Sequence, residues 1–176
     1  MVFDQPAMER IWDAHTAAEF QTSDADATMA TMTANPHVNH VPVMTGGSGA
    51  DAVRAFYETY FIPCQAPDTE VIPLTRTVGT DRIVDEILFR FTHTVDMPWL
   101  LPNVPPTGRR IEMALAVVVG FEDGLISSEH IYWDQASVLV QAGLLDPAGL
   151  PIGGIEVTSK AIDVNAVPSN LLITGV

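Results

Sequence analysis

The sequence contains very little cysteine, which limits how the chain can be stabilised. Its 176 residues include a single cysteine, Cys64. One thiol cannot form a disulfide within the chain, and protein chains without disulfides are typical of reducing compartments. We therefore expect a cytoplasmic protein whose stability depends on a hydrophobic core.

Basic residues are also scarce. The chain has 8 lysines and arginines against 22 aspartates and glutamates, a formal charge of −14 at pH 7. Nucleic acids and anionic membrane surfaces are bound through clusters of positive charge, so we expect neither as a partner. The sole lysine, Lys160, argues against Schiff-base chemistry or a lysine-based phosphate site.

Long hydrophobic runs are missing as well. No segment approaches the roughly 18 apolar residues of a membrane span, and the first ten residues lack the basic-then-apolar pattern of a signal peptide. Hydrophobic residues still make up 47% of the chain and charged residues 17%, which is unlike a disordered protein. The length and composition predict one folded domain with a full core.

The most informative segment of the sequence is an Asp123–Gly124 turn followed by a strand-like stretch. Asp-Gly is typical of a two-residue hairpin turn, because both central residues need positive φ. Residues 125–135 are rich in β-branched and aromatic side chains, which favours a strand. Side chains alternate between the two faces of a strand, so His130, Tyr132 and Asp134 share one face. All three can donate or share protons.

The same turn predicts how the two strands of the hairpin pair. If Glu122 pairs with Leu125, the numbers of paired residues keep a constant sum along the hairpin. His130, Tyr132 and Asp134 would then lie opposite an apolar row, namely Val117, Leu115 and Met113. An apolar wall with a few convergent polar groups is typical of a small-molecule pocket, although a partly polar core has the same pattern.

A second candidate site lies on the N-terminal helix, which is predicted over residues 4–22. On a helical wheel, Trp12, His15 and Glu19 fall on the apolar stripe that should face the core. Two ionisable groups at such positions need an explanation. Either Glu19 orients His15 in a satisfied buried pair, or the two residues line a cavity and take part in catalysis or metal binding.

A third group of candidates lies in a short strand predicted at residues 37–43. His40 and Asn39 fall on opposite faces of this strand, and the alternation does not decide which face is buried. The Gly-rich stretch 45–49 that follows resembles a phosphate loop only weakly, because the Lys-Ser/Thr ending is missing. We predict a flexible loop there, leading into a helix over residues 50–61.

Two more candidates come from the second half of the chain. In the strand predicted at residues 82–94, His93 ends the aromatic face, which is the predicted core face. Trp99 lies in a loop with four prolines that is too apolar for an idle surface turn. This loop could cap a pocket, pack under the domain or contact a partner subunit.

Several segments together resemble a known family. The order of three helices with a short inserted strand, followed by a sheet, resembles the nuclear transport factor 2-like superfamily. Within it, PPTGRR, FEDGLISSEHIYWD, VLVQAGLL and GADAVRAFYETYF look like the SnoaL-like polyketide cyclase group. The resemblance covers about residues 8–145. It implies an α+β fold, a cone-shaped barrel of a curved antiparallel sheet wrapped on N-terminal helices. The domain would span residues 1–145, and residues 146–176 would form an extended C-terminal arm.

The resemblance also implies a site. In SnoaL-like cyclases an aspartate on the final strand acts as acid and base on an acidic C–H bond, without a cofactor, and Asp134 in YWDQ matches that position. The leading hypothesis is therefore acid/base chemistry on a small hydrophobic carbonyl compound, of the isomerase, dehydratase, cyclase or hydrolase type. The candidate catalytic residues are Asp134, His130, His15, Glu19, His40 and His93. The candidate substrate-binding residues are Tyr132, Trp12, Asn39, Met113, Leu115, Val117 and Trp99.

Two alternatives remain open from the sequence. The histidines and carboxylates could hold a metal ion, although none of them has a recognised ligand spacing. The domain could also bind a ligand or a second copy of itself without catalysis. A homodimer is expected because the outer face of the sheet would expose an apolar patch, formed by Ala114, Ala116, Val118 and Ile131.

Overall fold

The computed structural model describes residues 4–174, apart from the side chain of residue 174. The first three and last two residues of the predicted domain and arm lie outside this range. Within the described range the chain forms six α-helices, α1 Gln5–Ala17, α2 Ala25–Ala30, α3 Ala50–Phe56, α4 Gln135–Gln141, α5 Ile155–Ile162 and α6 Leu171–Thr174. It forms six strands, β1 Met32–His40, β2 Thr45–Ser48, β3 Glu70–Val78, β4 Arg82–Thr92, β5 Arg110–Glu122 and β6 Leu125–Trp133.

The six strands form one curved sheet in the order β2-β1-β6-β5-β4-β3. This confirms the predicted α+β class with helices preceding the main strands. Two details differ from the prediction. The sheet is open, since β2 and β3 are its two edges, and β1 pairs parallel to β6 whereas every other pair is antiparallel. The N-terminal helices cover the concave face, which we call the inner face.

Helices α1 and α3 both end in a widened π-helical turn. The first turn spans Ala18–Thr22 and the second spans Tyr57–Phe61. In each turn a backbone N–H bonds to the carbonyl five residues earlier, from Ser23 to Ala18 and from Ile62 to Tyr57. Single π-helical turns often mark functional sites because they change the direction of the side chains. Here they carry Glu19 and Tyr57.

The Gly-rich stretch is a strand instead of the predicted flexible loop. β2 pairs antiparallel with β1, and Gly46 lies opposite Asn39. A Cβ atom on Gly46 would come within 2.0 Å of the Val38 carbonyl oxygen, and one on Gly47 would come within 2.6 Å of the Ala52 backbone. The glycines therefore allow two stretches of backbone to approach closely, a role that strand propensities do not reveal.

The hairpin of β5 and β6 contains a β-bulge that the predicted register lacks. Glu122 pairs with Leu125 and Phe121 with Ile126 as expected, but Gly120 pairs with Ser128, and the shift persists to the end of β6. His130 lies opposite Val118 and Tyr132 opposite Ala116. Since one extra residue exchanges the two faces of a strand, the predicted register is wrong beyond the bulge.

The segment after residue 145 contains two helices, α5 and α6, and is not extended throughout. α5 packs on β5, and the Thr158 hydroxyl donates a 2.9 Å hydrogen bond to the Glu112 carbonyl. Part of the outer face of the sheet is therefore covered by the chain itself.

Ala114, Ala116 and Val118 are only partly buried, whereas Ile131 lies on the inner face and cannot belong to the predicted apolar patch. Homodimerisation stays a prediction. Within residues 4–174, the helices are too short or too polar to cross a membrane.

Candidate active site

A small cavity lies between the inner face of the sheet and the N-terminal helices. Its volume is about 60 Å³. A water needs roughly 15 Å³ of such space, so the cavity holds only a few waters or a correspondingly small ligand. Its apolar walls are formed by Trp12, Phe20, Val38, Phe61, Val71, Ile87, Phe89, Trp99, Leu115, Val117 and Ile131. The polar groups on the wall belong to Thr16, Glu19, His40, Tyr57 and Glu129.

Four of the buried polar side chains form one cluster at the wall. Nε2 of His15 lies 3.0 Å from Oε1 of Glu129 and 3.2 Å from Oε1 of Glu19. The Tyr57 hydroxyl lies 3.2 Å from the same nitrogen and donates to Oε1 of Glu129 at 3.1 Å. His15 and Tyr57 are almost completely buried, and both glutamates are at most 5% exposed. The cluster joins α1, both π-helical turns and β6.

The hydrogen bonds fix the protonation of His15. The Thr31 hydroxyl donates to the Thr28 carbonyl at 2.7 Å, so it must accept at 2.7 Å from Nδ1 of His15. Nδ1 therefore carries a proton, while Nε2 faces two carboxyl groups. Burial disfavours a charged ring, but the carboxylates of Glu129 and Glu19 outweigh it and raise the pKa of His15 to about 10. His15 is an imidazolium at neutral pH.

The pKa values of the two glutamates are shifted in opposite directions although both contact His15. Burial raises the pKa of the Glu19 carboxyl above its ordinary value, against the opposing effect of His15. Burial acts on Glu129 too, but the charge of His15 and hydrogen bonds from His15 and Tyr57 lower the pKa of Glu129 below its ordinary value. Two carboxyl groups with pKa values pushed apart are the usual basis of an acid and a base in one site.

This charge arrangement makes stability depend on pH. His15, with its raised pKa, stabilises the fold fully below its ordinary pKa of 6.5 and loses this effect as the pH rises through about 10. Glu129, with its lowered pKa, stabilises the fold above its ordinary 4.5 and loses this effect in acid. We expect the stability difference between the wild type and His15→Gln to be greatest between about pH 5 and 6.5. Denaturant unfolding at pH 4, 6 and 10 measures it, and a difference independent of pH would contradict an ionised pair.

His40 is a second polar group in the cavity wall, within a cage of aromatic rings. The rings of Phe56, Phe61, Trp99 and Trp133 lie 5.4 to 5.7 Å from it, centroid to centroid. Burial lowers the pKa of His40 to about 4, against the opposing charge of Glu129, so the ring is neutral at pH 7. Within the described residues, no side chain forms a hydrogen bond to His40. A ligand in the cavity would find one neutral imidazole there.

Trp12 joins the cluster to an ion pair between the buried Asp85 and the more exposed Arg76. Its ring stacks on His15 with a centroid separation of 5.4 Å, where an aromatic face favours a cation. Nε1 of Trp12 donates at 2.8 Å to Oδ2 of Asp85, which also accepts from Arg76 at 2.8 Å. The second oxygen of Asp85 accepts from Nε of Arg76 at 2.8 Å. These bonds hold the indole against the charged imidazole.

The structure brings about half of the predicted site residues to the cavity. Trp12, Trp99, Leu115 and Val117 line it as expected, together with Glu19 and His40. His15 lies directly behind Glu19 and Glu129. Met113 is buried in the core without lining the cavity.

The remaining candidates lie elsewhere. Because of the bulge in β6, His130 and Tyr132 face outwards, and Tyr132 is 43% exposed. Asn39 faces the same side, opposite His130. Asp134 is an exposed helix N-cap whose Oδ1 accepts from the Ser137 N–H at 3.0 Å. His93 is buried at the end of β4, where its Nδ1 lies 3.2 Å from the Thr107 hydroxyl, away from the cavity. The predicted placement of these five residues in the pocket is wrong.

Sequence reasoning missed Glu129 and Tyr57 as site residues. Glu129 is charged, yet a bulge at Ser127–Ser128 places it on the core face together with Ile126, Ile131 and Trp133. The pair Ser127–Ser128 is a weak signal for such a bulge. Tyr57 lies on the apolar stripe of α3, where a phenol is ordinarily a core residue. Only its proximity to Glu129 indicates a function.

The surface position of Asp134 leads to a prediction. Asparagine caps helices as well as aspartate, so Asp134→Asn should change the free energy of unfolding by less than about 0.5 kcal/mol. Asp134→Ala should cost about 1 kcal/mol, because the Ser137 N–H loses its acceptor. Urea unfolding measures both variants. A loss of several kcal/mol in Asp134→Asn would indicate a buried role for this carboxylate.

The fold and the site define a small α+β domain with an apolar cavity and a buried cluster of His15, Glu19, Tyr57 and Glu129. Residues 13–129 match the SnoaL-like domain family, and the chain belongs to this family. No protein of curated function matches the sequence significantly.

Similar solved structures agree with the fold. TsrD from Streptomyces laurentii superposes with a TM-score of 0.62 at 19% identity, covering 81% of this chain and 99% of that protein. A candidate SnoaL-like polyketide cyclase from Jannaschia sp. CCS1 superposes with a TM-score of 0.60 at 17% identity, covering 82% and 99%. A candidate ketosteroid isomerase from Kribbella flavida DSM 17836 superposes with a TM-score of 0.53 at 11% identity, covering 76% and 82%.

Proposed function

We propose that the protein is a cofactor-free enzyme that moves protons on a small, largely apolar carbonyl compound, with Glu19 as acid and Glu129 as base. The observation that carries the proposal is a pair of buried glutamates on one cavity wall, both within 3.2 Å of His15, whose pKa values shift in opposite directions. Burial raises the pKa of Glu19, whereas His15 and Tyr57 lower the pKa of Glu129. Membership of the SnoaL-like family, and structural neighbours named as a candidate polyketide cyclase and a candidate ketosteroid isomerase, support the general reaction type.

The reaction proceeds by paired proton transfers. The Glu19 carboxylic acid gives its proton to the substrate carbonyl oxygen while the Glu129 carboxylate removes a proton from the adjacent carbon. The products of this step are a neutral enol, an ionised Glu19 and a protonated Glu129. Return of the oxygen proton to Glu19 and delivery of a proton from Glu129 to the same or a conjugated carbon restore both groups. The imidazolium of His15 stabilises whichever glutamate is ionised.

The cavity restricts the substrate. Its walls are mostly aromatic and aliphatic side chains, which favour an apolar body, and its volume of about 60 Å³ excludes a multi-ring compound in this conformation. His40 offers one further hydrogen bond inside the aromatic cage. We therefore expect a small cyclic ketone, enone or lactone with one additional polar atom.

Deuterium exchange tests the proposal without knowledge of the natural substrate. Small cyclic ketones and β,γ-unsaturated enones are incubated with the protein in D2O, and NMR follows loss of the α-proton and migration of the double bond. We expect exchange above the buffer rate for at least one compound and competition by a small apolar phenol. If no compound exchanges faster than in buffer, the proposed chemistry is wrong.

The same geometry favours a second candidate, a metal-dependent enzyme. A ring nitrogen of His15 and one carboxylate oxygen each from Glu19 and Glu129 all lie within 4.8 Å of one another. Nδ1 of His15 is held by Thr31, which leaves Nε2 directed at both carboxylates. Metal-binding histidines usually have such a hydrogen bond on the second nitrogen. A divalent ion would then replace the proton of Nε2.

Metal analysis separates the two candidates. Protein purified without a histidine tag is dialysed against Zn²⁺, Mn²⁺ or Fe²⁺ and its metal content is measured by plasma mass spectrometry. The acid/base proposal predicts exchange activity that survives chelation. One metal ion per chain that is lost in Glu19→Gln, with activity that depends on it, would favour the metal enzyme.

A further inference from the structure

Two histidines meet on the outer face of the sheet, on the side opposite the cavity. Nε2 of His37 on β1 lies 2.9 Å from Nε2 of His130 on β6. The ring centroids are 5.1 Å apart, and the rings are tilted by 50°. His37 is exposed and His130 is partly buried. Neither residue contributes to the proposed reaction, because the sheet separates both from the cavity.

The sheet itself holds the two rings in place. β1 and β6 run parallel, with His37 opposite Ser128 and Asn39 opposite His130, so the histidines sit diagonally on neighbouring strands. The Tyr132 ring packs edge-on against His130 with a centroid separation of 6.5 Å. Both imidazoles are therefore presented by rigid backbone at a fixed separation, which lowers the entropy lost when a ligand binds both.

We propose that His37 and His130 form a chelating site for a divalent transition metal ion, with Cu²⁺ and Ni²⁺ preferred over Zn²⁺. Metal–imidazole bonds are about 2.0–2.1 Å long. Two such bonds at a right angle place the nitrogens about 2.9 Å apart, whereas a tetrahedral angle places them about 3.3 Å apart. The observed separation of 2.9 Å equals that of a right angle at a square-planar or octahedral ion. The centroid separation of 5.1 Å shows that the two nitrogens point at each other, so both rings must turn outwards for one metal ion to bind them.

The surroundings of the pair suit a cation. In the apo state, one Nε2 must donate its proton to the other, and a metal ion would take the place of that proton. The formal charge of −14 attracts cations to the protein generally. With only two side-chain ligands, the other coordination positions belong to water.

Titration of the full chain, without a histidine tag, tests the site. We expect one Ni²⁺ per chain in isothermal titration calorimetry near pH 7.5, and tighter binding of Cu²⁺ because of its general preference for nitrogen ligands. His37→Asn and His130→Asn should each weaken Ni²⁺ binding by about tenfold or more. Electron paramagnetic resonance of the Cu²⁺ protein should show two equatorial nitrogens.

The buried cluster supplies the matched control. Glu19→Gln, which alters the buried cluster of His15, Glu19 and Glu129, should leave Ni²⁺ binding unchanged. Thermal unfolding checks that all three variants are folded. The proposal is overturned if the wild type binds no Ni²⁺, if both histidine variants retain full affinity, or if Glu19→Gln alone removes binding.

Discussion

Glu129→Gln is expected to lower the free energy of unfolding by about 3 kcal/mol at pH 7, whereas Glu19→Gln is expected to change it by less than about 1 kcal/mol. Gln is neutral and has almost the shape of Glu. Burial raises the pKa of Glu19 and so favours its neutral carboxyl, which Gln replaces with another neutral group. In Glu129 the same exchange removes the carboxylate that balances the buried His15 imidazolium.

The expected loss for Glu129→Gln lies at the low end of the usual 3–5 kcal/mol for breaking a buried ion pair. Glu19 is also within 3.2 Å of Nε2 of His15 and can ionise to replace the missing charge. A double variant, Glu129→Gln with Glu19→Gln, removes this rescue and should lose more than the sum of the single variants.

Urea unfolding at pH 7 measures the three variants, with exposed Glu122→Gln in the same hairpin as the control. The control should stay within about 0.5 kcal/mol of the wild type. Equal losses for Glu19→Gln and Glu129→Gln would mean that the two glutamates share the charge equally, contrary to the assignment of one acid and one base.

The second large effect is expected on turnover. Glu19→Gln should reduce deuterium exchange by about 10²–10⁴-fold, the usual contribution of a positioned general acid or base. An amide can donate a hydrogen bond to the substrate oxygen, but it cannot transfer a proton. Because the variant is expected to fold normally, the loss would be chemical and not structural.

The pH dependence of exchange adds a readout that a structural role would not produce. Glu19 acts while protonated, so the rate should fall as the pH rises through its raised pKa. Glu129 acts while ionised, so the rate should fall in acid through its lowered pKa. Residual exchange in Glu19→Gln should lack the alkaline decline. Asp134→Asn serves as the control and should retain the wild-type rate, and its inactivation would contradict the assignment to Glu19 and Glu129.

Much of the fold could be predicted because it follows from local patterns. Alternation and turn residues place β4 and β6 within a few residues of their observed ends, and the helical stripe of α1 correctly buries Trp12, His15 and Glu19. The strand β2 could not be predicted, because its glycines are chosen for close backbone approach to β1 and α3.

The candidate site was only half predictable for a single reason. The polar row His130, Tyr132 and Asp134 depends on counting residues from the turn, and one bulged residue after Ile126 sends the first two outwards. The same residue turns Glu129 inwards, where it completes the cluster. The sequence pattern does not reveal such an insertion, because the inserted residue does not change the strand propensity of the segment.

The sequence by itself determined the charge, the α+β class, the SnoaL-like family and the presence of ionisable groups on a buried helix face. These properties depend on composition, on periodicity and on side chains close together in the chain. Only the tertiary structure decided which carboxylates meet His15, because Glu19, Tyr57 and Glu129 come from elements up to 110 positions apart. Their pKa values depend on distances of about 3 Å and on burial, which exist only after the chain has folded.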